Sequence, residues 1–328
     1  MFIILLISLI YASSVFAEAS PKKILIIESY HENLDWDQAY VKAIKKSLGQ
    51  GYIFNNFAMD TKRIAPHQFK QQAQKAWDAY RQYKPDLIIS GDDNALKLLA
   101  DRYQSVDTPV VYLGINSNPR HYFKTPPINI TGVLERPMLL RSILNLKQLL
   151  GQKVKKVMIL FDSGTTANLI FQENFQDQNM IMVHDIEVHI GLHKNYKSWK
   201  HDVMNAKKNH FDALIVGLYH TVTDQNGQHI PSESLLSWTN KNSKVPLFAF
   251  WKVAVGKGKA IGGLVLNSIE QGKEAAKIAK MILEKNVKPS DIFPKKPVDG
   301  DLIFSKHELK RFKIDLPKSW ASSVTLIE

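Results

Sequence analysis

Residues 86–103, DLIISGDDNALKLLADRY, decide how the chain folds. Residues 87–90 read as a buried strand, an almost continuous apolar run of the kind covered on both faces. Gly91 and two adjacent carboxylates, Asp92 and Asp93, come next, and a helix follows at once. A strand that passes directly into a helix is half of a β/α unit, which implies a parallel sheet with helices on its faces. The two acids leave four readings open: metal ligands, a phospho-acceptor pocket, helix caps, or hooks for a small ligand. A cap needs only one acid, so the other is left pointing into the loop space.

The same unit recurs along the chain. Apolar runs at residues 24–28, 110–115, 157–161, 186–190, 213–218, 247–250 and 264–266 read as further strands, most of them rich in Ile, Val and Leu throughout. Helical spacing of apolar residues appears at 37–48, 69–83, 137–150 and 271–283, and Gly151 stops the third of these. The rhythm runs from residue 24 to about 116, is interrupted by the Pro- and Asn-rich segment NSNPRHYFKTPPINITG, and restarts at 157. The expected fold is α/β, with two Rossmann-like lobes built on parallel central sheets, joined near residues 117–134 and again near 251–262.

Bulk properties limit the function. The 328 residues suggest about two domains at ~150 residues each. The chain has no cysteine, which excludes disulfides and thiol nucleophiles. It opens MFIILLISLIYASSVFA, whose apolar run at 2–10 is too short to span a bilayer. Val15 and Ala17 fit a signal-peptidase site, so residues 1–17 read as a secretory signal peptide. The absence of Lys and Arg at its start keeps an uncleaved anchor as the rival reading. The expected location is the periplasm. The net charge is +12, but the lysines are dispersed at helix-face spacings, such as Lys42, Lys45 and Lys46. No basic run is interleaved with aromatics, so the surface reads as solvated and not as a nucleic-acid site.

In parallel α/β sheets, ligands bind beyond the carboxyl ends of strands. The residues found there are Ser29, Tyr30 and His31 after the first strand, and Asp92, Asp93 and Asn94 after the second. Asn116 follows the third. Ser163 and Thr165 follow the first strand of the second series, and Tyr219, His220 and Trp251 come later. Polar and aromatic groups recur at these ends in both series, as expected of one cleft between two lobes. Each also has a plain reading: turn histidines for His31 and His220, core closure for Tyr219 and Trp251, and a helix cap for Asp162. No P-loop, GxGxxG, GxSxG or HExxH is present, so no catalytic residue and no cofactor is assigned. Metal binding by Asp92, Asp93 and His31 lacks the close ligand spacing such sites show.

The segments ILIIESYHENLDWDQAYVKAIKKSL, PDLIISGDDNALKLL, TPVVYLGINSNP, NITGVLERP, KKVMILFDSGTTAN, FDALIVGLYHT, PLFAFWKVAVGKGKAIGGLVL and EQGKEAAKIAKMILEKNVKPSDI follow one another in this order between residues 24 and 292. In them the chain resembles the periplasmic substrate-binding proteins of ABC transporters, in the group that includes tryptophan- and tyrosine-binding members. The resemblance implies a type I periplasmic binding protein, monomeric and non-catalytic, that closes on a small polar solute and delivers it to a membrane permease. It implies a first lobe at 18–120 plus 258–290, a second at 128–252 plus 296–316, and hinge segments at 121–127 and 253–257. Amino-acid-binding relatives tend to carry small residues in place of Asp92-Asp93-Asn94, and an acid near Trp251. Two alternatives stay open, a sensory partner of a membrane kinase and a cleft hydrolase. One of Asp92 and Asp93 is expected to cap the helix and the other to face the cleft, where an ammonium group or hydroxyls are its natural partners.

Overall fold

The computed structural model describes residues 20–136, 138–296 and 300–328. The expected signal peptide lies outside the described residues. Among those described, no helix is long and apolar enough to cross a membrane.

The first sheet is built from β1 (Lys22–Glu28), α1 (Asp35–Leu48), β2 (Tyr52–Ala58), α2 (Phe69–Tyr83), β3 (Leu87–Gly91), α3 (Asp92–Gln104), β4 (Val110–Ile115) and β5 (Ile130–Leu134). Its strands are all parallel, in the order β2-β1-β3-β4-β5. The apolar stretch of β1 and the whole of β3 and β4 are buried, as helices on both faces require. The chain winds from β1 to β2 on one side and then returns to β3 on the other. The carboxyl ends of β1 and β3 therefore flank the point where strand order reverses, the crevice in which such sheets hold ligands.

The second sheet follows the same plan. It contains α4 (Leu139–Leu150), β6 (Lys156–Asp162), α5 (Thr165–Phe175), β7 (Met180–Val183), β8 (Ile186–His193), α6 (Tyr196–Asn205), β9 (Ala213–Val216), α7 (Ser232–Asn242) and β10 (Leu247–Ala249). The order is β10-β9-β6-β8-β7, with β7 antiparallel to β8. Its reversal point lies between β6 and β9, at Asp162 and Gly217. A smaller sheet, β11-β12-β13, completes this lobe: β11 (Gly262–Val265), β12 (Asp301–Ser305) and β13 (Val324–Ile327). Between these strands run α8 (Ser268–Lys285) and α9 (Lys306–Phe312).

The boundaries differ from those expected at 121–127 and 253–257. β5 pairs with β4 and closes the edge of the first sheet, whose backbone groups would otherwise stay unpaired. The chain passes to the second lobe only after Leu134. β11, expected in the first lobe, pairs with β12, and the flanking Ile261 and Leu266 bond to Leu247 and Phe250. The return comes after Leu266, and α8 then packs on α1, β3, β4 and β5. Lys295 bridges Val133 at the edge of the first sheet, whereas β12 belongs to the smaller sheet of the second lobe. At the α1–α8 contact Gly272 has no room for a side chain: a Cβ there would lie 2.5 Å from the Tyr40 carbonyl oxygen.

Candidate ligand-binding site

Ser29, at the end of β1, is fully buried, and its hydroxyl donates to the Gly91 carbonyl at 2.6 Å and accepts the Ala95 N–H at 2.7 Å. It thus satisfies one of the free amides at the start of α3, the role expected of an aspartate. Asp93 does not cap α3. Its carboxylate accepts the N–H groups of Asn116 (3.0 Å) and Ser117 (3.2 Å) and the Tyr122 hydroxyl (2.9 Å), which ties the loop after β4 to α3. Asp92 is the acid at the crevice. Its backbone is left-handed, φ 71°, a conformation uncommon outside glycine. Its Oδ1 accepts from the Tyr30 hydroxyl at 2.5 Å and from the Asp93 N–H at 2.8 Å. The expected division of labour between the two acids is corrected accordingly: one faces the crevice, but a serine from the neighbouring strand does the capping.

The second lobe meets this wall directly. Asp162 holds the β6 loop by accepting the Gly164 and Thr221 N–H groups, each at 3.0 Å. This places the start of α5 against Tyr30, whose hydroxyl is 2.9 Å from Thr166 Oγ1. The tyrosine proton is committed to the Asp92 carboxylate, so Thr166 is the donor in this pair. Beside it the Trp251 Nε1–H donates to Glu135 Oε1 at 2.7 Å, and both residues are buried. The Tyr219 and His220 rings stack at 4.3 Å, and the His229 Nε2–H donates to the His220 carbonyl at 2.6 Å.

Two adjoining spaces lie between the lobes, sharing Tyr30, Lys62, Thr166 and Leu218 as lining residues. The inner gap measures about 30 Å³ and is walled by Tyr30, Trp36, Asp92, Asn116, Glu135, Tyr219, His220 and Trp251. The outer chamber measures about 680 Å³ and is lined by Lys62, Arg63, Asn94, Ser163, Thr165 and His229, among others. Ser29 and Asp93 stand behind these walls, and His31 lines neither space. Burial and the neighbouring Asp93 push the Asp92 carboxyl up to about 7, against the pull of Lys62 and the Tyr30 hydroxyl. Burial and Asp92 raise Glu135 well above the usual carboxylate range. Burial and the Lys62 charge hold His220 well below the usual imidazole value. Among the described residues no cluster of three or more His, Cys, Asp or Glu is arranged for a metal ion.

Sequence reasoning missed Lys62 and Glu135. They follow the ends of β2 and β5, and the rule applied to the other strands would have found them had those strands been recognised. Glu135 is also the acid beside Trp251 that the sequence did not show nearby.

Residues 51–324 match a family described as ABC transporter substrate binding protein. The chain belongs to that family. No curated protein sequence matches it significantly. A domain of Streptococcus pneumonia in complex with L-Trp shares 16% identity, with a TM-score of 0.67 over 94% of this chain and 100% of that one. The ligand-free, open structure of a substrate binding protein with adhesive properties from Clostridium difficile gives 0.63 at 16% identity, over 94% and 99%. A carbohydrate transporter solute binding protein from Agrobacterium radiobacter, in complex with D-arabinose, gives 0.59 at 13%, over 90% and 98%. At these identities the likeness shows the fold. The binding protein has the type I periplasmic binding architecture, with two α/β lobes and parallel central sheets.

Proposed function

We propose that the binding protein captures a small polar solute between its lobes, outside the cytoplasm, and delivers it as a monomer to an ABC permease in the membrane. The observation that carries this reading is the meeting of two reversal points. Tyr30 and Asp92 from one sheet, and Thr166, Tyr219 and His220 from the other, enclose one gap joined by the Tyr30–Thr166 hydrogen bond. Ligand-binding candidates therefore come from both lobes, as a clamp requires.

Native mass spectrometry of the freshly purified protein, followed by a thermal-shift screen, tests the reading. A bound solute should raise the melting temperature as RT ln(1 + [L]/Kd), about 2.7 kcal/mol at a hundred-fold excess over Kd, and should be recovered unchanged. Conversion of the solute by the purified protein overturns the binding reading. Cross-linking to a kinase ectodomain instead of a permease overturns the delivery step.

A further inference from the structure

The outer chamber is closed on the second-lobe side by a tight hairpin, residues 223–229, of which Thr223, Gly227, Gln228 and His229 line the space. Thr223 and His229 pair as antiparallel neighbours, and the Asp224 N–H donates to the Gln228 carbonyl at 2.8 Å. The Asp224 carboxylate accepts the N–H groups of Asn226 and Gln228, each at 2.8 Å. His229 pins the base of the hairpin through its 2.6 Å bond to the His220 carbonyl. The turn itself closes from the Gly227 N–H to the Asp224 carbonyl at 3.2 Å, and Gly227 takes a left-handed φ of 77°. A hairpin loop of this kind needs glycine at its last position. Nothing in that geometry asks for asparagine before it.

Asn226-Gly227 is the one Asn-Gly step in the chain. Asparagine is a thermolabile residue, because the backbone nitrogen of the next residue can attack its side-chain amide carbon. A glycine in that next place has no side chain to hinder the attack. Asn226 is exposed, and among the described residues no hydrogen bond holds its side-chain amide. Asn129 and Asn168, by contrast, have their amides tied to backbone carbonyls. The attacking nitrogen is also the least firmly held. The Gly227 bond, at 3.2 Å, is longer than the 2.8 Å bonds on either side of it and lies at the far end of the range for N–H···O bonds.

We infer that Asn226 is a site of spontaneous isoaspartate formation, and that the change unties the hairpin and with it one wall of the outer chamber. The Gly227 nitrogen gives its proton to hydroxide and bonds to Asn226 Cγ. The Cγ–Nδ2 bond breaks, and Nδ2 takes a proton from water and leaves as ammonia. Water then opens the cyclic imide. Attack at the side-chain carbonyl carbon leaves aspartate, and attack at the main-chain carbonyl carbon leaves isoaspartate. In isoaspartate the chain runs through Cβ and Cγ, and the new carboxylate stands on Cα. The extra backbone atom puts Gln228 out of step with Asp224, so the bonds between them cannot all be kept, and His229 is drawn off the His220 carbonyl. The new negative charge stands on a rim that also carries Lys194. The wall is altered whatever solute enters the chamber.

The test ages the purified protein at physiological temperature and mildly alkaline pH, beside a sample kept cold and slightly acidic. The tryptic peptide 209–241 is then fragmented by mass spectrometry, and isoaspartate is labelled with an isoaspartyl methyltransferase and labelled S-adenosylmethionine. Asn226 is expected to convert before any other asparagine, to take up the label, and to do neither in Asn226→Gln. Hydrogen exchange at the Asp224 and Gln228 amides should quicken roughly ten-fold in the aged wild type and stay slow in aged Asn226→Gln. Asn226→Asp brings the charge without the longer backbone and should keep the slow exchange. Conversion of another asparagine first, or conversion of Asn226 to aspartate alone, overturns the assignment. Unchanged exchange in the labelled protein, or exchange in Asn226→Asp as fast as in the aged wild type, overturns the loss of the hairpin through its lengthened backbone.

Discussion

Thr166 Oγ1 donates to the Tyr30 hydroxyl across the cleft at 2.9 Å, and the Tyr30 hydroxyl in turn donates a hydrogen bond to Asp92. One phenol therefore links the second lobe to the acid of the first. Tyr30→Phe should remove both bonds while keeping the ring. A net hydrogen bond contributes about 0.5–1.5 kcal/mol, so the closed form should lose roughly two- to ten-fold in population. Small-angle scattering is expected to show a larger radius of gyration for the variant without solute, and an unchanged radius would deny the bond any part in closure.

Asp92 and Asp93 should part company under mutation. Asp93→Asn leaves a buried amide where a carboxylate accepted three hydrogen bonds, and should lower folding stability by ~1–3 kcal/mol. Asp92→Asn breaks no such tie and relieves a buried charge, so it should cost the fold little. Urea denaturation of the two variants measures this, and equal losses would refute the division.

The pH dependence has a definite sign. The folded Asp92 carboxyl sits at about 7, above the ~3.9 of an unfolded aspartate, and Asp37 and Glu135 are raised as well. A raised carboxyl favours the protonated folded state. Its contribution is complete below about pH 4 and is lost as pH rises through the folded value. The melting temperature without solute should therefore fall between about pH 5 and about pH 8, and fall less in Asp92→Asn. The groups whose charge reaches Asp92 are Asp93, Asp37, Glu135 and Lys62. Calorimetric scans across this range decide the matter, and a melting temperature that climbs with pH would contradict the assignment.

Gly272→Ala should destabilise the first lobe by ~1–3 kcal/mol, the range for overpacking. Its Cβ would meet the Tyr40 carbonyl oxygen at 2.5 Å and the Ala43 Cβ at 3.0 Å, and a backbone atom has little freedom to retreat. An unchanged denaturation midpoint would show that α8 can slide along α1.

Residues 87–93 disclosed the sheet and the crevice because a fully buried parallel strand is apolar throughout, and Leu87, Ile88 and Ile89 left no other reading. β2 is an edge strand, half-buried and interrupted by Asn55 and Asn56, so it carried no such mark. β5 follows the Pro126-Pro127 pair, which reads as a loop. Overlooking these two strands hid Lys62 and Glu135. The capping by Ser29 had no local signal, since its partner Ala95 lies 66 residues away and the two meet only through the β1–β3 pairing. The exchange of partners at Trp251 is of the same kind: its acid comes from 116 residues upstream.

The packing of α8 on α1, β3, β4 and β5 has a consequence for the order in which the chain can fold as it is synthesised. The N-terminal lobe borrows one of its covering helices from residues 268–285, after the whole second lobe but its tail has been made. A nascent chain that stops short of Ser268 presents the Tyr40–Ile44 face of α1 and one side of the sheet to whatever surrounds it. Contacts this distant in sequence close slowly, because a long loop must be ordered before they form. The N-terminal half is thus held back from finishing its fold until the last third of the chain has been made.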